Sequence, residues 1–165
     1  MKYLLKTHNY LKNLSTFKFI IAILILKRVS LLFFSPITYI LFSFAKNPNA
    51  GPPIYSSFTM FNIIDTCILG PFFETLIFQS LVIFILQKIK GLKNNNIIII
   101  LISSILFGVA HYYNVAYIFK AFIAGILYAY SYLVYKDKDQ HPIWVVTIIH
   151  ALHNSIVTLL MYFNI

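Results

Sequence analysis

Acidic side chains are the scarcest chemistry in this 165-residue chain, where four Asp and Glu stand against thirteen Lys and Arg. Charged residues of either sign make up only 10% of it and hydrophobic ones 60%, with several apolar runs longer than a soluble core helix needs, so water is not its main solvent. One cysteine, Cys67, excludes both an intrachain disulfide framework and a paired-cysteine metal site. The long, unbroken apolar runs do not alternate with a period of two, which argues against a transmembrane barrel. No small-residue cleavage site follows the first apolar stretch, so a removable signal peptide is not expected. What remains is an all-α polytopic membrane protein, read as one domain over residues 1–165.

The cations sort the loops. Lys2, Lys6, Lys12, Lys18, Lys27 and Arg28 crowd the first segment, Lys88, Lys90 and Lys93 the middle, and Lys136 and Lys138 the last loop, while the stretches around Lys46 and Lys120 hold one each. In short clusters between apolar runs, this charge reads as membrane topology and headgroup contact, and not as a nucleic-acid surface. Positive loops kept in the cytoplasm give a cytoplasmic N-terminus, 46–57 outside, 87–96 inside, 113–118 outside, 136–141 inside and an outer C-terminus. Five spans follow, near 29–45, 58–87, 97–112, 119–135 and 142–163. The preceding "FKFIIAILIL" is too short to cross and predicts an interfacial or partly inserted helix, its rival being one tilted span over 17–44 that takes Lys27 and Arg28 into the bilayer. Within the long second span Gly70-Pro71 predicts a kink or restart. Ala121, Gly125 and Ala129 recur every four residues, the spacing for close helix approach.

Polar groups inside hydrocarbon are costly, so intramembrane Glu and His are functional candidates, usually facing one another. Glu74 in "PFFETLIFQ", His111 in "LFGVAHYYN", and His150 with Asn154 in "IIHALHNSI" lie on three spans. Counted from the inner span ends at about 1.5 Å per residue, they fall in one band of depth, roughly 12 to 21 Å. Phe107 and His111 share a helical face, as do His150 and Asn154. His153 is the second choice to His150. Asp65 reads as packing or water-facing, and His8 and His141 as solvated loop residues.

A carboxylate and a neutral imidazole can take a proton from water while a second His and an amide donate to an oxyanion, a set sufficient for amide hydrolysis. Alternatively Glu74, His111 and His150 ligate Zn²⁺ with water in the fourth place. Ligand types alone do not separate the two; the absence of a two-histidine helix favours a site without a metal or other cofactor. The chain has no Gly-x-Ser-Gly nucleophile, no His-Glu-x-x-His helix and no pair of membrane aspartates.

The three segments resemble the CAAX-protease and bacteriocin-processing family of intramembrane endopeptidases, whose pattern is Glu-Glu-x-x-x-Arg, then Phe-x-x-x-His, then His-x-x-x-Asn or Asp. "ETLIFQ" from Glu74, "FGVAH" from Phe107 and "HALHN" from His150 take these places, in order, within residues 70–160. The resemblance implies that Glu74 and His111 activate the attacking water and that His150 and Asn154 stabilise the oxyanion. Two places depart: Thr75 stands for the second glutamate and Gln79 for the arginine. Both charges are absent together, which predicts a neutral Thr75–Gln79 contact. The expected protein is an endopeptidase of a bacterial cytoplasmic membrane, acting on a peptide or protein substrate through a cavity open to the cytoplasm or adjacent leaflet. The abundance of Lys, Asn and Ile suggests a bacterial host, and for a bacterium the resemblance implies peptide maturation, bacteriocin processing or immunity, or envelope-protein processing. A non-catalytic scaffold or immunity protein and a Glu/His proton-relay transporter are the rivals. For topology, a reporter fused after Asn95 is expected to read cytoplasmic and one after Asn49 external; the reverse pattern overturns the orientation.

Overall fold

The computed structural model describes residues 2–47 and 50–164, with side chains from Leu5 onward; positions 48 and 49 of the expected outer loop lie outside the described residues. Helices are α1 (Lys2–Lys12), α2 (Thr16–Phe33), α3 (Ser35–Ser43), α4 (Met60–Leu86), α5 (Asn96–Ala110), α6 (Val115–Asp137) and α7 (Pro142–Tyr162), with a 3₁₀ turn at Pro53–Tyr55. No strand occurs among the described residues. The starts follow from local chemistry: Asn95 accepts from the Ile98 N–H and Asn114 from the Tyr117 N–H, while Pro142 opens α7 where no donor is needed.

Helix α6 is the centre. It packs against α2, α3, α5, α7 and the stretch Thr75–Leu81 of α4, and 56% of its apolar window is buried, against 22% for α4. The expected small-residue stripe explains its tightest contact. A Cβ on Gly125 would meet Ser104 Cα of α5 at 3.0 Å, and one on Gly108 of α5 would meet the Ile118 carbonyl oxygen at 3.0 Å. Ala121 and Ala129 are buried on α6, and Ala129 is fully enclosed.

Three helices, α4, α6 and α7, are long and apolar enough to span a bilayer, and α2 with α3 forms a fourth candidate bent by 53°. Helix α5 is a shorter apolar helix of 15 residues. The large apolar side chains that stay exposed, such as Leu32, Phe33, Ile97 and Leu159, belong to these helices and supply a lipid-facing surface. The protein is therefore an integral membrane helical bundle.

The N-terminal third corrects the expectation of an interfacial helix followed by a span at 29–45. A continuous helix runs through Lys27 and Arg28 to Phe33 and bends into α3, close to the rival reading over 17–44. Pro36 cannot donate to the Leu32 carbonyl, which is held by a backbone N–H at the C-terminal cap of α2 and by Ser35 Oγ at 2.7 Å. Ahead of α2 lies α1, whose His8, expected to be solvated, is hydrogen-bonded through Nδ1 to Tyr130 OH at 3.1 Å.

The lysine-bearing segments meet at one end of the bundle. Lys12 pairs with Asp137 at 3.9 Å, Lys138 Nζ donates to the Leu14 carbonyl at 3.4 Å, and Lys136 donates to Gln87. At the other end Asn114 Nδ2 donates to the Ala50 carbonyl at 3.1 Å, and Phe58 packs edge-on against Tyr162 at 5.6 Å.

Candidate active site

Helix α4 carries Glu74, and its backbone decides where that side chain points. The helix does not restart at Gly70-Pro71; it continues, widening into π turns at Asp65–Leu69 and Thr75–Leu81, on either side of Pro71 and Glu74. Gly70 N–H reaches back five residues to the Asp65 carbonyl. That leaves the Thr66 carbonyl without its regular donor, and the next residue, Pro71, has no N–H to offer. Asn154 Nδ2 of α7 donates to it at 2.8 Å. In the second wide segment Ser103 Oγ of α5 donates to the Phe78 carbonyl at 2.8 Å. Gly70 is needed at the first turn, since a Cβ there would lie 2.9 Å from the Asp65 carbonyl oxygen.

Two imidazoles face one carboxylate oxygen. Glu74 Oε2 is 3.6 Å from His111 Nε2 and 3.7 Å from His150 Nε2, both wider than a direct hydrogen bond, and Oε2 has no hydrogen-bond partner. His111 caps the C-terminus of α5 and places Nδ1 2.7 Å from the Phe107 carbonyl. A carbonyl oxygen only accepts, so the His111 proton sits on Nδ1 and its Nε2 lone pair faces Glu74. His150 is buried, its Nδ1 lacks a partner, and its ring lies against Tyr128 with centroids 4.5 Å apart. Phe107 packs between them, 4.5 Å from the His111 ring and 5.8 Å from the His150 ring. The spacing Phe-x-x-x-His thus supplies both the wall between the imidazoles and the carbonyl that sets one tautomer.

Glu74, His111, His150, His153 and Asn154 all line one cavity of about 540 Å³. Its walls include Pro52 to Tyr55, Tyr113 and Tyr117, all from the end of the bundle opposite the lysine-bearing segments. Burial pushes the Tyr55 phenol in this loop above its ordinary value, which keeps it neutral beside Tyr117. Asp65 lines the same space. Among the described residues, no group of three His, Cys, Asp or Glu side chains is arranged to hold a metal ion.

Lys27 and Arg28 also line the cavity, and reading their charge as topology missed them. Lys27 is only 4% exposed; its ammonium donates to Tyr128 OH and lies 4.5 Å from the centroid of that ring. The one available signal was the apolar run on both sides of "KR". The expected Thr75–Gln79 contact does not form as a hydrogen bond: both side chains are fully buried, and Thr75 Oγ1 and both Gln79 amide atoms have no partner. They sit in a π segment, where residues four apart no longer stack directly over one another.

A helical membrane bundle with a carboxylate and two imidazoles converging on an internal cavity defines a class of intramembrane protein with acid–base chemistry. The chain belongs to the Rce1-like type II CAAX prenyl endopeptidase family, whose family model matches residues 55–156. At family level this is a CAAX-type intramembrane protease. Searches of curated proteins and of solved structures found no match.

The Asn154 contact makes a stability prediction. Asn154→Ala is expected to cost about 1–3 kcal/mol by leaving the Thr66 carbonyl unpaired, and Pro71→Ala in the same chain to recover most of it by restoring a backbone N–H. Thermal unfolding in detergent checks this; a Pro71→Ala change that adds its own loss to that of Asn154→Ala refutes the account.

Proposed function

We propose that the chain is an endopeptidase that hydrolyses a peptide bond in a membrane-associated peptide or protein, with Glu74 and His111 activating water. The observation that carries this is the pair of imidazoles within 3.6 and 3.7 Å of one carboxylate oxygen in a cavity. A water between Glu74 Oε2 and His111 Nε2 meets two acceptors, which turns its oxygen lone pair toward a substrate carbonyl. As that oxygen bonds to the carbonyl carbon, its proton passes to Glu74 or His111. The carbonyl oxygen becomes an oxyanion. His150 serves it best with the proton on Nε2, since an N–H at the buried, partnerless Nδ1 would be left unsatisfied. Asn154 has a second amide hydrogen besides the one held by Thr66, and can supply the other donor. Collapse of the tetrahedral species breaks the C–N bond, and the held proton goes to the departing amine.

We read the site as metal-free, with Zn²⁺ held by Glu74, His111 and His150 as the alternative reading of the same three side chains. The N-terminus is assigned to the cytoplasm, where the lysine-bearing loops belong in a bacterial membrane. On that orientation the cavity lies toward the outer face, which favours substrates presented there, such as maturing secreted peptides or bacteriocins. The scaffold reading draws on the unpartnered Thr75 and Gln79.

Reconstitution in liposomes with a peptide library provides the test. Glu74→Gln and His111→Ala are each expected to lower the cleavage rate at least about 100-fold, and together to cost little more than either alone, because they act as one unit. Cleavage by Glu74→Gln at the wild-type rate overturns the mechanism, and absence of cleavage in the wild type under all conditions favours the scaffold.

A further inference from the structure

Helix α4 has no Lys or Arg between Met60 and Leu86, so Glu74 has no cation on its own helix. The other carboxylate facing it, Asp65, adds repulsion. His111 is neutral in the tautomer that its Phe107 contact sets, and His150 and His153 share the cavity without a fixed charge. The phenols that line the cavity from the loop and α6, Tyr113, Tyr117 and Tyr128, bring no positive charge. Any counter-charge must come from another helix.

Three cations line the cavity: Lys27, Arg28 and Lys120. Lys120 is engaged over the Phe42 ring of α3 at 4.5 Å, and Arg28 is only partly buried. Lys27 is the deepest, and it lines the same cavity as Glu74. No carboxylate lies within 4.0 Å of it among the described residues, so it is not consumed by a structural ion pair. Its donation to Tyr128 OH aims it, and the Tyr128 ring that receives it packs on His150 at 4.5 Å. A cation buried at this cost in hydrocarbon, and tied to the ring that supports a site imidazole, is placed for the site.

Resting on the reading of Glu74 as the water-activating base, we propose that Lys27 is a positioning residue of the site: it supplies the counter-charge that keeps Glu74 ionised and, through Tyr128, steadies the His150 ring. The cation that balances the carboxylate is thus carried by α2 and not by α4.

The test is the pH dependence of cleavage in liposomes. Lys27→Met keeps the volume and removes the charge; with the opposite charge gone, the carboxylate is favoured only at higher pH, so the acid limb is expected to move up by about one pH unit. Lys27→Arg is expected to restore the limb. Tyr128→Phe, which unties the ammonium and keeps the ring, should move it the same way by less. An acid limb that stays in place in Lys27→Met overturns the proposal, even if the rate falls. The same question can be put without cleavage: the infrared carboxyl band lost in Glu74→Gln should persist to higher pH in Lys27→Met. A band that titrates as in the wild type refutes the role of Lys27, whereas a shifted band in a protein that cleaves nothing keeps Lys27 as the counter-charge and rejects the peptidase reading alone.

Discussion

The structure is organised around a carboxylate kept inside a hydrocarbon-facing bundle. Ionised Glu74 is unfavourable there unless it is hydrated or faced by compensating groups, and the fold supplies both: a cavity of about 540 Å³ and the convergence of α2, α5 and α7 on one side of α4. Helix α2 brings Lys27 and Arg28 to the cavity wall, the end of α5 brings His111, and α7 brings His150, His153 and Asn154. Lys27, His111 and His150 would each be costly alone in hydrocarbon, and here they line one shared cavity. Helix α6 holds the three together through small residues on its α5 face and Tyr128 on its cavity face.

A second constraint acts on the backbone. In lipid no water rescues an unpaired carbonyl, so each departure from regular helix needs a donor from a side chain. Pro71 and the wide turn before it free the Thr66 carbonyl and Asn154 takes it; within the second wide turn Ser103 holds the Phe78 carbonyl; at the end of α2, Ser35 Oγ adds to the cap backbone N–H on the Leu32 carbonyl. These repairs let α4 pass Pro71 without bending away from α7. They also give Asn154 a structural duty that an oxyanion role does not exclude, because its amide carries two hydrogens.

The membrane class, the all-α bundle and the tight α5–α6 contact were legible because each is a repeated pattern: long apolar runs, absent alternation, and small residues every four positions. So was the convergence of Glu74, His111, His150 and Asn154, since polar residues at equal depth in hydrocarbon have few places to go but toward each other. Lys27 was not legible, because a cation near a chain terminus has the same appearance whether it faces headgroups or a cavity; only the packing of α2 on α6 and α7 distinguishes the two. Nor were the π turns, which leave no periodic trace over five to seven residues. They explain why Gly70-Pro71 does not break the helix and why Thr75 and Gln79, four apart, do not pair.

The central claim is that the carboxylate and imidazoles alone deliver water to a peptide bond. The most direct measurement is single-turnover cleavage in ¹⁸O-water by protein stripped with a chelator and assayed for residual metal. The account predicts an undiminished cleavage rate and one ¹⁸O atom in the newly formed carboxylate. Cleavage that disappears on chelation and returns with stoichiometric Zn²⁺ would contradict it.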